Sequence, residues 1–413
     1  MIEQKRLPAV VLSGGSEIIT ASLLEEFHAQ KIPVVLIKLG VPSLLRDALP
    51  VIAYKEITWP PTSIETASKE LKEILTSLGA GTPQPWPAFP TEDGGLRLLV
   101  EKKELLGSQI AFGQAEHLHM GGLDKAELFE NLYDAGLGDI CAPTRIATEM
   151  KQIPSLVEEL GGDCIIKPSL KPLSMQLDGM PSKIINWEIS HDNIKNMEAL
   201  AATWHISKQW IVQQKLITPV MGEIDWYGVC NKNQTILTSS IAFEKWKQPK
   251  SGGSGCWVFL DPSYKDDLTE MAKKIIKAIG LYGIAEFSFL KDKTNKWRLL
   301  ELNPRPWLQI GLPWRAGIPM ATAAYHVLSN QPFQSTSSNS LTSWVNPERT
   351  LLAAVSGDYG NRWQAMQKAI RAIHTSDMKV MYDSPFPALK RRWVGRMAQK
   401  AWKQIVGRVN RKT

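Results

Sequence analysis

Residues 281–306, LYGIAEFSFLKDKTNKWRLLELNPRP, constrain the fold of this chain more than any other stretch. Residues 284–289 alternate and run into the turn-rich segment 291–296, after which residues 297–303 alternate again. That pattern predicts an antiparallel hairpin. A period of two places Glu301 and Asn303 on one face of the second strand, and pairing across the hairpin can bring Glu286 beside them.

Taken singly, such acids are usually solvated on an exposed hairpin. Together they suggest more. Clustered carboxylates repel unless a cation sits between them, and hard oxygen donors suit Mg2+, which keeps waters and takes further ligands from nucleotide phosphates. Arg305, held between Pro304 and Pro306, offers a guanidinium fork to a phosphate or a developing acyl-phosphate oxygen.

The sequence E-x-N-P-R after an alternating strand, with another acid one hairpin earlier, resembles the metal-binding end of the ATP-grasp superfamily, which includes biotin carboxylase, carbamoyl phosphate synthetase and D-alanine:D-alanine ligase. The resemblance implies that Glu286, Glu301 and Asn303 hold Mg2+, with Mn2+ as a substitute, and that Arg305 lies near the transferred phosphoryl group.

With 413 residues, 44% of them hydrophobic and 22% charged, the chain has room for two or three domains with substantial cores. No apolar run reaches the twenty or so residues of a membrane span, and residues 1–6 lead into a strand rather than an apolar leader, which predicts a cytoplasmic protein. Cys141, Cys164, Cys230 and Cys256 lack C-x-x-C spacing, so neither a zinc site nor a disulfide framework is expected. The net charge of +7 is uneven: residues 390–413 carry nine Lys or Arg and no acid, leaving 39 basic against 41 acidic residues in 1–389. The body therefore offers no general case for nucleic-acid binding.

Residues 8–12, the turn Ser13-Gly14-Gly15-Ser16, a helix over 18–29 and an apolar run over 33–39 predict a βαβ unit of a doubly wound parallel sheet. The turn lacks the G-x-G-x-x-G pattern and reads as structural or substrate-facing. Residues 51–54 and 96–100 predict further strands and 63–78 a helix, while the Pro- and Gly-rich residues 79–87 predict a loop. ATP-grasp enzymes commonly begin with such a Rossmann-like domain, so the resemblance extends to the N-terminus.

Asp124 is a plausible N-cap for a helix opening at 125–129. In the family's pattern Lys125 contacts ATP phosphates, although in isolation it reads as a solvated helix-surface lysine. Residues 164–168 form a short strand whose Lys167, by the same resemblance, points into the nucleotide cleft. Residues 169–176 contain no glycine where many relatives carry a glycine-rich phosphate lid, a trait shared with the D-aspartate ligase-like branch. Residues 210–216 read as a buried strand. The family places the hinge here, near 210–217, which implies adenine binding by Gln213, Gln214 and Leu216. Glu223 matches the acid that holds the ribose hydroxyls, with Asp225 the competing choice and an exposed hairpin turn the bland one. Residues 236–243 predict another strand, and the basic, glycine-rich 245–255 either an anion-binding lid or a plain surface loop.

In 390–409 Trp393, Val394, Met397, Trp402, Ile405 and Val406 recur at helical spacing among the cations. Such a helix suits an anionic membrane surface; docking on the protein's own acids, a nucleic-acid arm and a disordered tail are the alternatives. The expected architecture is α/β: a Rossmann-like domain over 1–90, a two-lobed ATP-grasp domain over 91–330 of α+β character, and a linker with a basic amphipathic tail over 331–413. The expected activity joins a small-molecule carboxylate to an amine using ATP and Mg2+. A bicarbonate-using carboxylase and a non-catalytic nucleotide-sensing membrane adaptor are the alternatives. A homodimer and association with the inner membrane face are compatible with this reading.

Overall fold

The computed structural model describes residues 6–48, 50–61, 63–171, 187–189, 200–201, 204–216, 222–250, 253–334 and 342–409, without the side chains of 398 and 400–409. Residues 172–176 of the glycine-poor loop and 251–252 of the basic loop lie outside this set.

Three sheets organise an α/β chain. The first is parallel, with β1 (Ala9–Ser13), β2 (Val34–Leu39), β3 (Ala53–Ile57), β4 (Trp86–Pro90) and β5 (Ile110–Ala111) in the order β3-β2-β1-β4-β5. The apolar runs of β1 and β2 are wholly buried, as a parallel sheet with helices packed on it requires. The helix Ile64–Ser77 begins where Ser63 accepts from the Thr66 N–H.

Two expectations fail here. Residues 96–100 lie in the helix Asp93–Glu101, where Leu96, Leu99 and Val100 share a buried helical face. Trp86 and Pro87, expected in a loop, belong to β4. The Trp86 N–H reaches Gln109 O and the Thr91 N–H reaches Leu12 O. Alternation then aims Pro90 past the end of the two-residue β5, where its missing N–H breaks no ladder. The first sheet thus runs beyond residue 90, to β5.

After the short β6 (Gln114–Ala115), an antiparallel sheet follows in the order β7-β10-β8-β9, built from β7 (Thr144–Ala147), β8 (Cys164–Pro168), β9 (Trp187–Ile189) and β10 (Trp210–Gln214). Its helix Lys125–Asp134 starts as expected, Asp124 accepting from the Ala126 and Glu127 N–H groups.

The largest sheet contains β11 (Ile224–Cys230), β12 (Ile236–Gln248), β13 (Ser254–Leu260), β14 (Leu281–Lys291), β15 (Trp297–Asn303), β16 (Ser343–Val345) and β17 (Met378–Lys379), with β6 pairing to the start of β14. One face packs on the helix Lys265–Ile279 through Trp226, Phe287 and Phe289. Tyr227, Val229 and Ile284 on the other face join the core shared with the first sheet's helices and the helix Met320–Leu328.

Residues 245–248, expected in a loop, continue β12, and β13 begins at Ser254. Part of the expected linker and tail is structural too. β16 and β17 extend the large sheet, and the helices Pro347–Ser356 and Arg362–Thr375 bury alanines against Trp246 and Cys256. No helix among the described residues is long and apolar enough to cross a membrane.

Candidate functional site

The predicted hairpin forms in the register its chemistry needs. Glu286 pairs with Asn303 and Ser288 with Glu301, so all four side chains face one way. A bulge at Leu300 is what permits this: Phe289 pairs with Leu299, which turns Leu299 into the core although strict alternation would place it beside Glu301. The Asn303 Nδ2 donates to Glu286 Oε2 at 2.8 Å, and the Arg305 Nη2 donates to Asn303 Oδ1 at 3.3 Å.

This face forms one wall of a cleft of about 960 Å3. Next to β14, Asp225 on β11 accepts from Ser288 Oγ at 2.7 Å, and Glu244 projects from β12. Opposite, Lys167 from β8 and Gln213 from β10 reach in from the small antiparallel sheet. The cleft thus lies between the two sheets, as the two-lobed expectation requires.

Charge in the cleft is segregated. Around Glu301 stand three ammonium groups. Burial alone would raise its carboxyl, but Lys125, Lys171 and Lys167 together hold it down to about 2. Lys125, the first residue of its helix, approaches Glu301 Oε1 to 3.5 Å, and burial lowers its affinity for a proton. Burial likewise brings Lys167 down to about 8. Its ammonium donates to Gln213 Oε1 at 3.1 Å and to the carbonyl of the bulged Leu300 at 3.4 Å.

Deeper along the wall the balance reverses. Burial, reinforced by the Glu244 charge, pushes Glu286 up to about 8. Glu244 rises to about 7, chiefly through burial, and Asp225 stands well above the usual carboxylate range through burial and then the Glu244 and Glu286 charges. Buried acids this close resist ionising together without a cation.

Two carboxylates and an amide, Glu286, Glu301 and Asn303, therefore offer hard oxygen donors at the boundary between the ammonium groups and the buried acids, and this fits Mg2+. Among the described residues no group of three His, Cys, Asp or Glu is placed to hold a metal alone. The set fits an ion that takes its remaining ligands from water and phosphate.

Other expected residues are placed with qualifications. Gln213 faces the cleft, but its oxygen, expected to accept from an adenine amine, is engaged by Lys167, and its nitrogen donates to Thr144 Oγ1 at 3.1 Å. Gln214 donates to Leu160 O at 2.8 Å, and Leu216 lines the rim. Glu223 meets Lys247 Nζ at 2.5 Å, while its rival Asp225 is buried and bound to Ser288.

Several site residues escaped the sequence reading. Asp93 binds both Arg305 and Lys171, and its carboxyl is held well below its usual range: burial opposes this, but Arg305, Lys171 and Lys125 prevail. At the far end of the cleft lie Thr91 and Glu92. Thr91 accepts from the Gly14 N–H at 3.0 Å and Glu92 from the Ser16 N–H at 2.6 Å. The glycine turn is therefore filled by a carboxylate of the chain itself, since a Cβ on Gly14 would meet Glu92 at 2.3 Å. Arg349 and Tyr359 enter from the segment expected to be linker and tail, the Tyr359 hydroxyl accepting from the Lys247 N–H at 2.7 Å and donating to Lys247 O at 2.8 Å. A cleft-facing period on β12 was the available signal for Glu244; for Asp93 and Tyr359 there was none.

No family model matches the chain, and no curated protein matches it by sequence. Solved structures do match by shape. The biotin carboxylase domain dimer of Hydrogenobacter thermophilus 2-oxoglutarate carboxylase, in complex with MgADP, ADP and bicarbonate, aligns over 82% of this chain and 74% of its own at 14% identity and a TM-score of 0.62. N5-carboxyaminoimidazole synthetase from Staphylococcus aureus, complexed with ADP, aligns over 83% of this chain and 82% of its own at 17% and 0.59. An L-amino acid ligase from Bacillus licheniformis aligns over 80% of this chain and 76% of its own at 13% and 0.59. At these identities the likeness is one of architecture, and the architecture is the ATP-grasp fold.

Proposed function

We propose that this chain is an ATP- and Mg2+-dependent ligase that activates a carboxylate and joins it to an amine. One observation carries the reading: Glu286, Glu301 and Asn303 share one face of two paired strands, with Lys125, Lys167, Lys171 and Arg305 gathered around them. ADP in two of the structural neighbours supports a nucleotide in the same cleft.

In this mechanism a carboxylate oxygen attacks the γ-phosphorus of ATP and ADP leaves. The amine nitrogen then attacks the acyl carbon of the acyl phosphate, the C–N bond forms, phosphate departs with the C–O electron pair, and the nitrogen sheds its proton to solvent. Bound Mg2+ would neutralise phosphate charge and fix its orientation. Lys125 and Lys167 hold the nucleotide phosphates as point charges, and Arg305 stabilises charge on the transferring phosphoryl group. Glu223 orients the ribose, and Leu216, with Gln213 and Gln214 behind it, borders the adenine. Between the lobes the acyl phosphate is kept from water. Four free, buried cysteines fit a reducing cytoplasm.

A second reading, a carboxylase using bicarbonate, draws on the bicarbonate bound in the biotin carboxylase neighbour. An ADP-release screen of carboxylates and amines in pairs, with mass spectrometry of the products, tests both. Amide, ADP and phosphate from one pair support the ligase. ADP release that requires bicarbonate supports the carboxylase. Nucleotide-dependent thermal stabilisation with no turnover across the panel overturns both and leaves a binding protein.

A further inference from the structure

Nine large hydrophobic side chains stand exposed among the described residues, and six of them fall between 351 and 394: Leu351, Leu352, Val355, Trp363, Ile370 and Val394. Five belong to the hairpin of helices Pro347–Ser356 and Arg362–Thr375. The first helix buries Thr350, Ala353 and Ala354; at 100° per residue, Leu351, Leu352 and Val355 fall on its opposite side. The second buries Ala365, Ala369 and Ala372, and Trp363 and Ile370, two turns apart, point the other way. Trp363 is 71% exposed. An outward apolar strip across two packed helices is more than scattered surface hydrophobicity.

The charges flanking the strip on the second helix have one sign. Arg362 and Arg371 are exposed on either side of Trp363 and Ile370, the helix carries no acid, and the exposed Asp358 lies in the turn between the two helices. On the first helix, Glu348 is turned inward to the Tyr382 hydroxyl and to Trp393 Nε1. That bond seats the start of the helix Pro387–Val409 beside the hairpin, adding exposed Val394, Lys390 and Arg391. Further along, this helix uses its cations internally: Arg392 donates to Leu44 O at 3.0 Å, and Arg396 meets Glu17 at 2.8 Å. Its described part docks on the chain's own surface, one of the readings left open by the sequence, and the lipid-suited face is mainly the hairpin.

We propose that the outer face of this helical hairpin, extended by the exposed start of the last helix, docks on a bilayer surface bearing anionic headgroups. Apolar side chains flanked by cations partition there, the rings and aliphatic chains entering the headgroup boundary while the cations meet phosphates. A second copy of the chain is a poorer occupant, because a two-fold contact across this face gathers Arg362 and Arg371 of both copies into one interface without an acid of the helix to balance them. The inner side of the hairpin supplies Arg349, Asp358 and Tyr359 to the cleft, so docking holds the site close to the bilayer. The proposal stands independently of the ligase reading.

The test is co-sedimentation of the full chain with vesicles of phosphatidylcholine alone and of phosphatidylcholine mixed with phosphatidylglycerol. The wild type is expected to sediment with the mixed vesicles only, and less so as salt rises. Trp363→Ser/Ile370→Ser and Arg362→Glu/Arg371→Glu are each expected to weaken binding roughly ten-fold with unchanged melting temperature. Val41→Ser/Ile52→Ser, on the first unit, should bind as the wild type. Absence of wild-type binding to the mixed vesicles, or wild-type binding by both hairpin variants, overturns the proposal. So does a lipid-free dimer that Trp363→Ser/Ile370→Ser converts to monomer without any vesicle binding, which would assign the face to a second copy.

Discussion

Asp93 accepts from the Arg305 Nε at 2.6 Å and, through its other oxygen, from Lys171 Nζ at 2.9 Å. Asp93 opens a helix of the first unit, Arg305 follows the last strand of the β14–β15 hairpin, and Lys171 follows β8. One carboxylate thus ties together three parts of the chain at the cleft. Arg305 keeps its charge at any working pH, so Asp93 governs its position, not its ionisation.

Asp93→Asn should therefore leave two cations short of their counter-charge and lower stability by about 2 kcal/mol, less than a fully buried pair because Asp93 and Lys171 are partly exposed. Its carboxyl is depressed in the folded chain, so its contribution is present above the ordinary carboxyl range and lost as pH falls through its folded value. Urea denaturation of wild type and variant should differ at neutral pH and converge in acid.

Glu286 has the opposite sign. Raised to about 8, it favours the folded state most below its usual 4.5, and that contribution is lost as pH rises through about 8. The metal-free melting temperature should fall across this window, and Glu286→Gln should flatten the fall. Mg2+ competes with the proton, so stabilisation by MgADP should grow with pH in the wild type and not in Glu286→Gln.

If Glu223 holds the ribose hydroxyls, Glu223→Gln should raise the KM for ATP several-fold and narrow the preference for ATP over deoxy-ATP. The lost ion pair with Lys247 should cost about 1 kcal/mol at most, since Glu244 remains 3.5 Å from the same ammonium. Steady-state kinetics with both nucleotides reads the result. An unchanged preference would return the role to Asp225.

Tyr359→Phe removes the hydroxyl that bonds both the N–H and the C=O of Lys247. Stability should drop by about 1–2 kcal/mol. A rise in the KM for ATP without loss of kcat would show that the helical hairpin shapes the cleft rather than taking part in the chemistry.

The β14–β15 hairpin was legible because its evidence is local: alternation, a turn, and acids at even spacing. The strand carrying Lys167 and the helix capped by Asp124 were legible for the same reason. Alternation could not reveal the bulge at Leu300, because inserting one residue leaves composition untouched while reversing which side Leu299 faces. The strand expected over 96–100 became a helix because an apolar run this short fits either period. Glu92, Arg349 and Tyr359 reach the cleft, and Asp93 reaches its Arg305 and Lys171, through tertiary contacts between segments far apart in sequence, and no local pattern marks them. The Ser- and Thr-rich stretch after residue 331 hid a return to the sheet, since β16 has only three residues.

The proposed function requires this cleft to take a nucleotide through a divalent ion held by Glu286, Glu301 and Asn303. Isothermal titration of the full chain with ADP, with and without Mg2+, tests it in wild type and in Glu286→Gln/Glu301→Gln. Wild-type binding should weaken at least roughly ten-fold when either Mg2+ or the two carboxylates are removed, with no further loss when both are. Failure of the wild type to bind, or binding indifferent to the metal and to both glutamates, would contradict it.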